Sequence, residues 1–127
     1  GSTWGDTTKC KPSAKVSVLQ IHGDKDDAVY YKGGNLFGGT ISYPGAVKTA
    51  SIWAGYNGCD AKTEAGTKAL DLDSSVAGSE TDVIKHTGCP KGGDVELWTI
   101  KGGGHLPIPT AAFTSETWSF FKAHPKP

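Results

Sequence analysis

Two apolar runs, each closed by a glycine turn that carries a chemically active side chain, constrain this chain most. Val16-Ser17-Val18-Leu19-Gln20-Ile21 passes directly into His22-Gly23-Asp24-Lys25-Asp26-Asp27. Val95-Glu96-Leu97-Trp98-Thr99-Ile100 passes, after Lys101, into Gly102-Gly103-Gly104-His105. Short runs of this composition, rich in β-branched residues and bounded by turns, read as buried strands. In open α/β sheets the functional residues gather at the carboxyl ends of strands, where Asp26 and His105 both fall. The pattern predicts an α/β fold in which two strand ends deliver an acid and a histidine.

The rest of the chain fits that reading. Residues 1–15 form a polar lead-in, and the glycine-rich stretch from Asp24 to Pro44 reads as a long ordered loop. Pro44 to Asn57 reads as a helix, with Pro in its first turn and Asn57-Gly58 as its stop. Its packing face is expected at Val47, Ala50, Ser51 and Ala54. Residues 60–80 are polar and turn-rich apart from the alternation Ala69-Leu70-Asp71-Leu72. Thr81–Thr87 and Asp94–Ile100 are expected to pair as a hairpin. The last helix begins between Thr110 and Thr114, ends near Ala123, and packs along Phe113, Thr117, Phe120 and Phe121. His86 falls in a strand and His124 at a frayed end.

The chain has 127 residues, room for one domain over residues 1–127. Its 13 basic and 13 acidic residues cancel, and every basic residue is Lys. Without the forked guanidinium and without a Lys cluster, nucleic-acid binding is not expected. No apolar run approaches the roughly 20 residues that span a bilayer, so no membrane partner is expected. A chain with Gly at position 1 and no Met reads as processed, truncated or a fragment. The three cysteines lack C-x-x-C spacing. Cys59 and Cys89 both sit in turns, and with low charge and abundant Gly, Ser and Thr they read as a disulfide in a secreted protein. Cys10 is left over. Three reduced thiols in a cytosolic protein is the alternative.

Three carboxylates, Asp24, Asp26 and Asp27, compete to orient a histidine. Asp26 stands four residues after His22, in an H-G-x-x-D arrangement that lets the chain leave its strand before presenting the acid. The same aspartates would equally serve to cap a turn. His105, after three glycines, can be aimed from a rigid strand end because glycine permits close backbone approach; an exposed loop histidine is the plainer reading. His22 reads as a satisfied structural histidine. A metal site at Asp24, Asp26, Asp27 and His22 lacks the D-x-[DN]-x-[DN]-G pattern, and no cofactor is expected.

Acid before histidine is the second part of the order Ser…Asp…His of α/β-hydrolases. The chain resembles the carboxyl-terminal half of secreted polyhydroxybutyrate-depolymerase-like and feruloyl-esterase-like α/β-hydrolases. The resemblance rests on Leu19–Asp26, on Trp53 with Asn57-Gly58-Cys59, on His86-Thr87-Gly88-Cys89-Pro90, and on Leu97–His105. It implies the C-terminal portion of an α/β-hydrolase open sheet, a partial domain with a parallel strand, a hairpin and flanking helices. It implies Asp26 and His105 as the acid and base of a Ser-His-Asp triad, Cys59–Cys89 as the disulfide, and a carboxylic ester as substrate. Two departures stand out. Leu106 replaces an aromatic residue common near the histidine, and none of the ten serines has glycines at both −2 and +2.

Two consequences follow for partners. The nucleophile and oxyanion hole would lie in an N-terminal half not contained in this chain. Strand Val16–Ile21 would then expose an edge, so the chain is expected to dock to that half or to self-associate as a homo-oligomer through the edge. The alternative from another class is a non-catalytic secreted carbohydrate- or polymer-binding module using Trp4, Trp53 or Trp98 as a stacking platform.

Overall fold

A computed structural model describes residue 3 and residues 5–36 and 39–125. In chain order it contains β1 (Val18–Gly23), β2 (Gly33–Leu36), β3 (Ile41–Pro44), α1 (Ala46–Asn57), β4 (Thr63–Ala65), β5 (Thr81–His86), β6 (Val95–Ile100) and α2 (Ala111–Ala123). Four strands form one sheet in the order β1-β6-β5-β4, and β2 and β3 form a separate hairpin. β1 runs parallel to β6, while the β5–β6 and β4–β5 pairs are antiparallel.

β6 is central and buried on both faces, as its alternation requires. Val95 and Leu97 pack with Ala46, Ala50 and Ala54 of α1, joined by Val18 and Ile84. Trp98 faces the other way, into Leu70, Leu72, Val83 and Phe120 of α2, with Leu19 and Ile21 alongside. The two helices thus cover opposite faces of the sheet. The α/β class is observed as a mixed four-stranded sheet with one parallel pair and two helices. One parallel pair does not by itself make the open parallel sheet of a hydrolase.

The expected β5–β6 hairpin forms, with Thr81 opposite Ile100 and Lys85 opposite Glu96. Other expectations shift. The first strand begins at Val18 rather than Val16, because the Asn57 side chain takes residue 16: its Oδ1 accepts from Val16 N at 3.3 Å and its Nδ2 donates to Val16 O at 2.8 Å. Nδ2 also donates to Gly93 O at 2.9 Å. Asn57 is therefore a buried anchor as well as the last residue of α1, which Gly58 ends in the left-handed region at φ 78°.

The stretch expected as a loop up to Pro44 contains the β2–β3 hairpin. Helix α1 starts at Ala46, and its buried residues are Ala46, Thr49, Ala50, Ile52, Ala54 and Asn57. Val47 is 56% exposed and Ser51 is exposed, contrary to the apolar count. The small side chains of Ala46, Ala50 and Ala54 pack against Val95 and Leu97, with Trp53 alongside. On α2, Phe120 is buried but Phe121 is 51% exposed. Thr110 caps α2, its side chain accepting from Phe113 N at 3.3 Å. His124 is held rather than frayed: Nδ1 lies 2.9 Å from Asp94 Oδ2, and the ring packs on Phe120.

The disulfide Cys59–Cys89 ties the end of α1 to the β5–β6 turn, and Cys10 is free. No helix among the described residues is long and apolar enough to cross a membrane.

Candidate active site

Parallel pairing in the register Gly23↔Ile100 brings the ends of β1 and β6 side by side. Both chains turn there and are stitched together. Asp24 N donates to Ile100 O at 3.0 Å, and Lys25 N donates to Gly103 O at 3.0 Å. Asp24 Oδ1 accepts from Gly102 N at 2.7 Å. Side chains 79 positions apart in sequence thus meet: His105 Nδ1 lies 3.1 and 3.0 Å from Asp26 Oδ1 and Oδ2.

The three aspartates sort by environment. Asp27 is exposed, and Asp24 ties the two turns together. Asp26 alone is buried and alone faces His105. Its Oδ1 also accepts from Ala28 N at 2.9 Å and Val29 N at 2.7 Å. Burial by itself would raise the carboxyl's pKa. The hydrogen bonds from His105, Val29 and Ala28 outweigh it and hold the group below its ordinary value. Asp26 is therefore a carboxylate at neutral pH, and a carboxylate only accepts. In its neutral form His105 must then carry its proton on Nδ1, with the lone pair on Nε2. Among the described residues nothing hydrogen-bonds Nε2, and the His105 side chain is 44% exposed.

The pair borders a cleft of about 160 Å³ whose apolar wall comes from Ile21, Val29, Ile100, Pro107 and Phe113. Pockets for small ligands usually enclose roughly 300–1,000 Å³, so this cleft is smaller than such a pocket. Leu106, 84% exposed, stands next to His105 and adds no wall.

The loop after His105 is fixed from a direction the sequence did not suggest. Asp73, 1% exposed, accepts from Ile108 N at 3.0 Å through Oδ1, and Ser74 N donates to Ile108 O at 2.9 Å. Thr110 Oγ1 donates to Asp71 O at 2.7 Å. The signal was present in Asp71-Leu72-Asp73-Ser74-Ser75, where Asp73 forms a local turn with Ser75.

Among the described residues, no group of three or more His, Cys, Asp and Glu is arranged to hold a metal ion. The suggested aromatic platforms fare differently. Trp98 is buried, its Nε1 donating to Glu96 Oε2 at 2.8 Å, so no ligand can stack on it. Trp53 is partly buried against the α1 core and edge-on to Tyr56. Trp4 lies outside the described residues.

No family model and no solved structure matches the chain. Among curated proteins, feruloyl esterase B of Piromyces equi is 32% identical over 103 residues, which cover 79% of this chain and 17% of that protein. The chain is thus related to a segment of a protein named as a feruloyl esterase, and it spans about a sixth of that relative's length.

Proposed function

We infer that the chain supplies the acid and the base of a serine carboxylic ester hydrolase. The observation that carries this reading is the Asp26–His105 pair at adjacent ends of parallel strands, with Nε2 unengaged beside an apolar cleft. The relationship to feruloyl esterase B favours ester chemistry. The disulfide is compatible with a secreted protein.

In this reading a serine hydroxyl, borne by a segment outside this chain, lies against His105 Nε2. His105 takes the hydroxyl proton as the oxygen attacks the ester carbonyl, then returns a proton to the leaving alcohol oxygen. In the second half-reaction it takes a proton from the water that attacks the acyl-enzyme, then gives that proton to the serine oxygen as the acyl–oxygen bond breaks and the acid leaves. Asp26 keeps the imidazole in the Nδ1–H tautomer and stabilises the imidazolium that forms. The nucleophile-bearing segment would complete both the cleft and the open sheet, seated along the free edge of β1. An assembly of this chain with itself through that edge is the other arrangement the topology permits.

The test is a longer polypeptide containing this chain, treated with a 4-nitrophenyl ester and with a fluorophosphonate that labels activated serines. Turnover, serine labelling upstream of this segment, and loss of both in His105→Ala are expected. Turnover and labelling that survive His105→Ala would refute the reading.

A further inference from the structure

His22 is a second, buried histidine against the Asp26 carboxylate, touching the same Oδ2 that His105 reaches. Its side chain is 4% exposed, and its Nε2 lies 3.2 Å from Asp26 Oδ2. The same Nε2 is 2.8 Å from Val29 O, and Val29 N donates to Asp26 Oδ1 at 2.7 Å. The three groups close a ring in which the residue-29 backbone is gripped at both ends, by His22 at its carbonyl and by Asp26 at its amide.

The partners fix the proton. A carbonyl only accepts, so Nε2 must carry hydrogen to bond Val29 O. In the neutral ring Nδ1 is then the acceptor, with the Gln20 side-chain amide nitrogen 3.4 Å away to donate. Gln20 and His22 are two apart on β1 and share one buried face. Tyr31 stands edge-on to the imidazole at 5.6 Å, and its hydroxyl is 2.8 Å from Thr99 Oγ1 on β6. The ring of His22 is thereby held by the sheet.

We propose that His22 is a positioning residue for the Asp26–His105 pair: a neutral Nε2–H imidazole that sets the Asp26 carboxylate by contact with Oδ2 and through Val29. The inference rests on the reading of Asp26 and His105 as the acid and base, but it concerns an arrangement this chain holds by itself. One carboxylate sits between two histidines that carry their protons on opposite nitrogens, Nε2 for His22 and Nδ1 for His105. Side chains whose rotamers are locked by supporting hydrogen bonds are what keeps a catalytic constellation within its productive geometry.

The experiment is 15N–1H long-range correlation NMR on the 15N-labelled chain at neutral pH, which distinguishes the two imidazole tautomers. The unsubstituted chain is expected to show His22 as Nε2–H and His105 as Nδ1–H. An imidazole free in water favours Nε2–H, so the His105 tautomer reports its hold on Asp26. His22→Phe keeps a ring against Tyr31 but removes the donor, and it is expected to return His105 to the mixture of a free imidazole. His22→Gln, whose amide can still reach Val29 O, is expected to restore Nδ1–H.

Two results would overturn the proposal. One is a charged or Nδ1–H His22 in the unsubstituted chain, a measurement that needs no variant to fold. The other is a folded His22→Phe chain whose His105 tautomer is unchanged. Ester turnover plays no part in these readouts, so failure of the hydrolase reading and failure of this one are separately visible.

Discussion

Gly23 sits so close to the carbonyls of Gly103 and Gly104 that a methyl group on its α-carbon would overlap both. The absence of that methyl lets the turn after β1 and the turn after β6 press together, and the Asp26–His105 distance depends on it. Gly23→Ala is expected to force the turns apart at a cost of about 1–3 kcal/mol, the usual range for overpacking. Urea denaturation of the two chains measures it. A change of midpoint within error, with the tautomer of His105 preserved, would show that the turns adjust freely.

Replacing Asp26 by Asn, in a protein that carries the serine, is expected to lower kcat by about 10⁴-fold, the effect of losing the tautomer-setting acid. Asp24→Asn keeps an oxygen for Gly102 N, and Asp27 is exposed, so both substitutions are expected to stay close to unsubstituted rates. Steady-state turnover of one chromogenic ester by all three variants decides. Equal losses at the three positions would assign the cluster to turn stability instead.

The Cys59–Cys89 bridge closes a loop of 30 positions. On the chain-entropy account such a loop contributes about 3–4 kcal/mol, a large share of the roughly 5–15 kcal/mol typical of a domain. Cys59→Ser with Cys89→Ser is expected to lower the unfolding free energy accordingly. Thiol titration of the unfolded, non-reduced chain is expected to find one group, Cys10; three groups would contradict the bridge.

Stability should fall towards acid in two stages. Burial lowers the pKa of His86 below its ordinary 6.5, so the folded state binds its proton less readily than the unfolded state. The His86 contribution is complete above 6.5 and is lost as pH drops through the folded value. Asp26, Asp73 and Glu80 form the second stage. Burial raises each, yet hydrogen bonds more than compensate and hold all three below their ordinary values of 3.8, 3.8 and 4.5. Their contribution is present above the ordinary values and disappears as pH falls through the lower folded ones. Urea midpoints at pH 7, 5 and 3 are expected to decrease in that order, and a midpoint rising on acidification would refute the assignment.

Among the described residues, β1 ends the sheet with one edge unpaired within it. Separated from any companion segment, the chain is expected to associate as its concentration rises. Light scattering over a wide concentration range tests this, and a monomer at every concentration would mean that the edge needs no cover.

The two strand-to-turn passages carried most of what could be read in advance. Apolar runs bounded by glycine marked β1 and β6, and the glycines themselves pointed to Asp26 and His105. The β5–β6 hairpin was legible from its alternation. The β2–β3 hairpin was not, because Gly33-Gly34-Asn35-Leu36 has neither alternation nor strand propensity. Val47 falls on the exposed side of α1, because the face that meets the sheet is centred on Ala46, Ala50 and Ala54. Asn57 looked like a stop signal, and its bonds to residues 16 and 93 exist only once three segments have met. The grip of Asp73 on Ile108, 35 positions on, escaped for the same reason, whereas that of His22 on Val29 escaped because a backbone carbonyl seven positions away carries no mark in the sequence. Each joins a side chain to a backbone group that sequence places elsewhere or leaves without a mark.

The pairing of β1 with β6 also carries a temporal consequence. β5 and β6 are joined by a short turn, whereas β1 reaches β6 only across most of the chain. Contacts between distant positions form late, because the intervening loop must be closed before they give any return. Nothing local holds Asp26 near His105. Asp26 and His105 therefore meet only once β1 has docked on β6, so copies that stop short of that step lack the pair altogether.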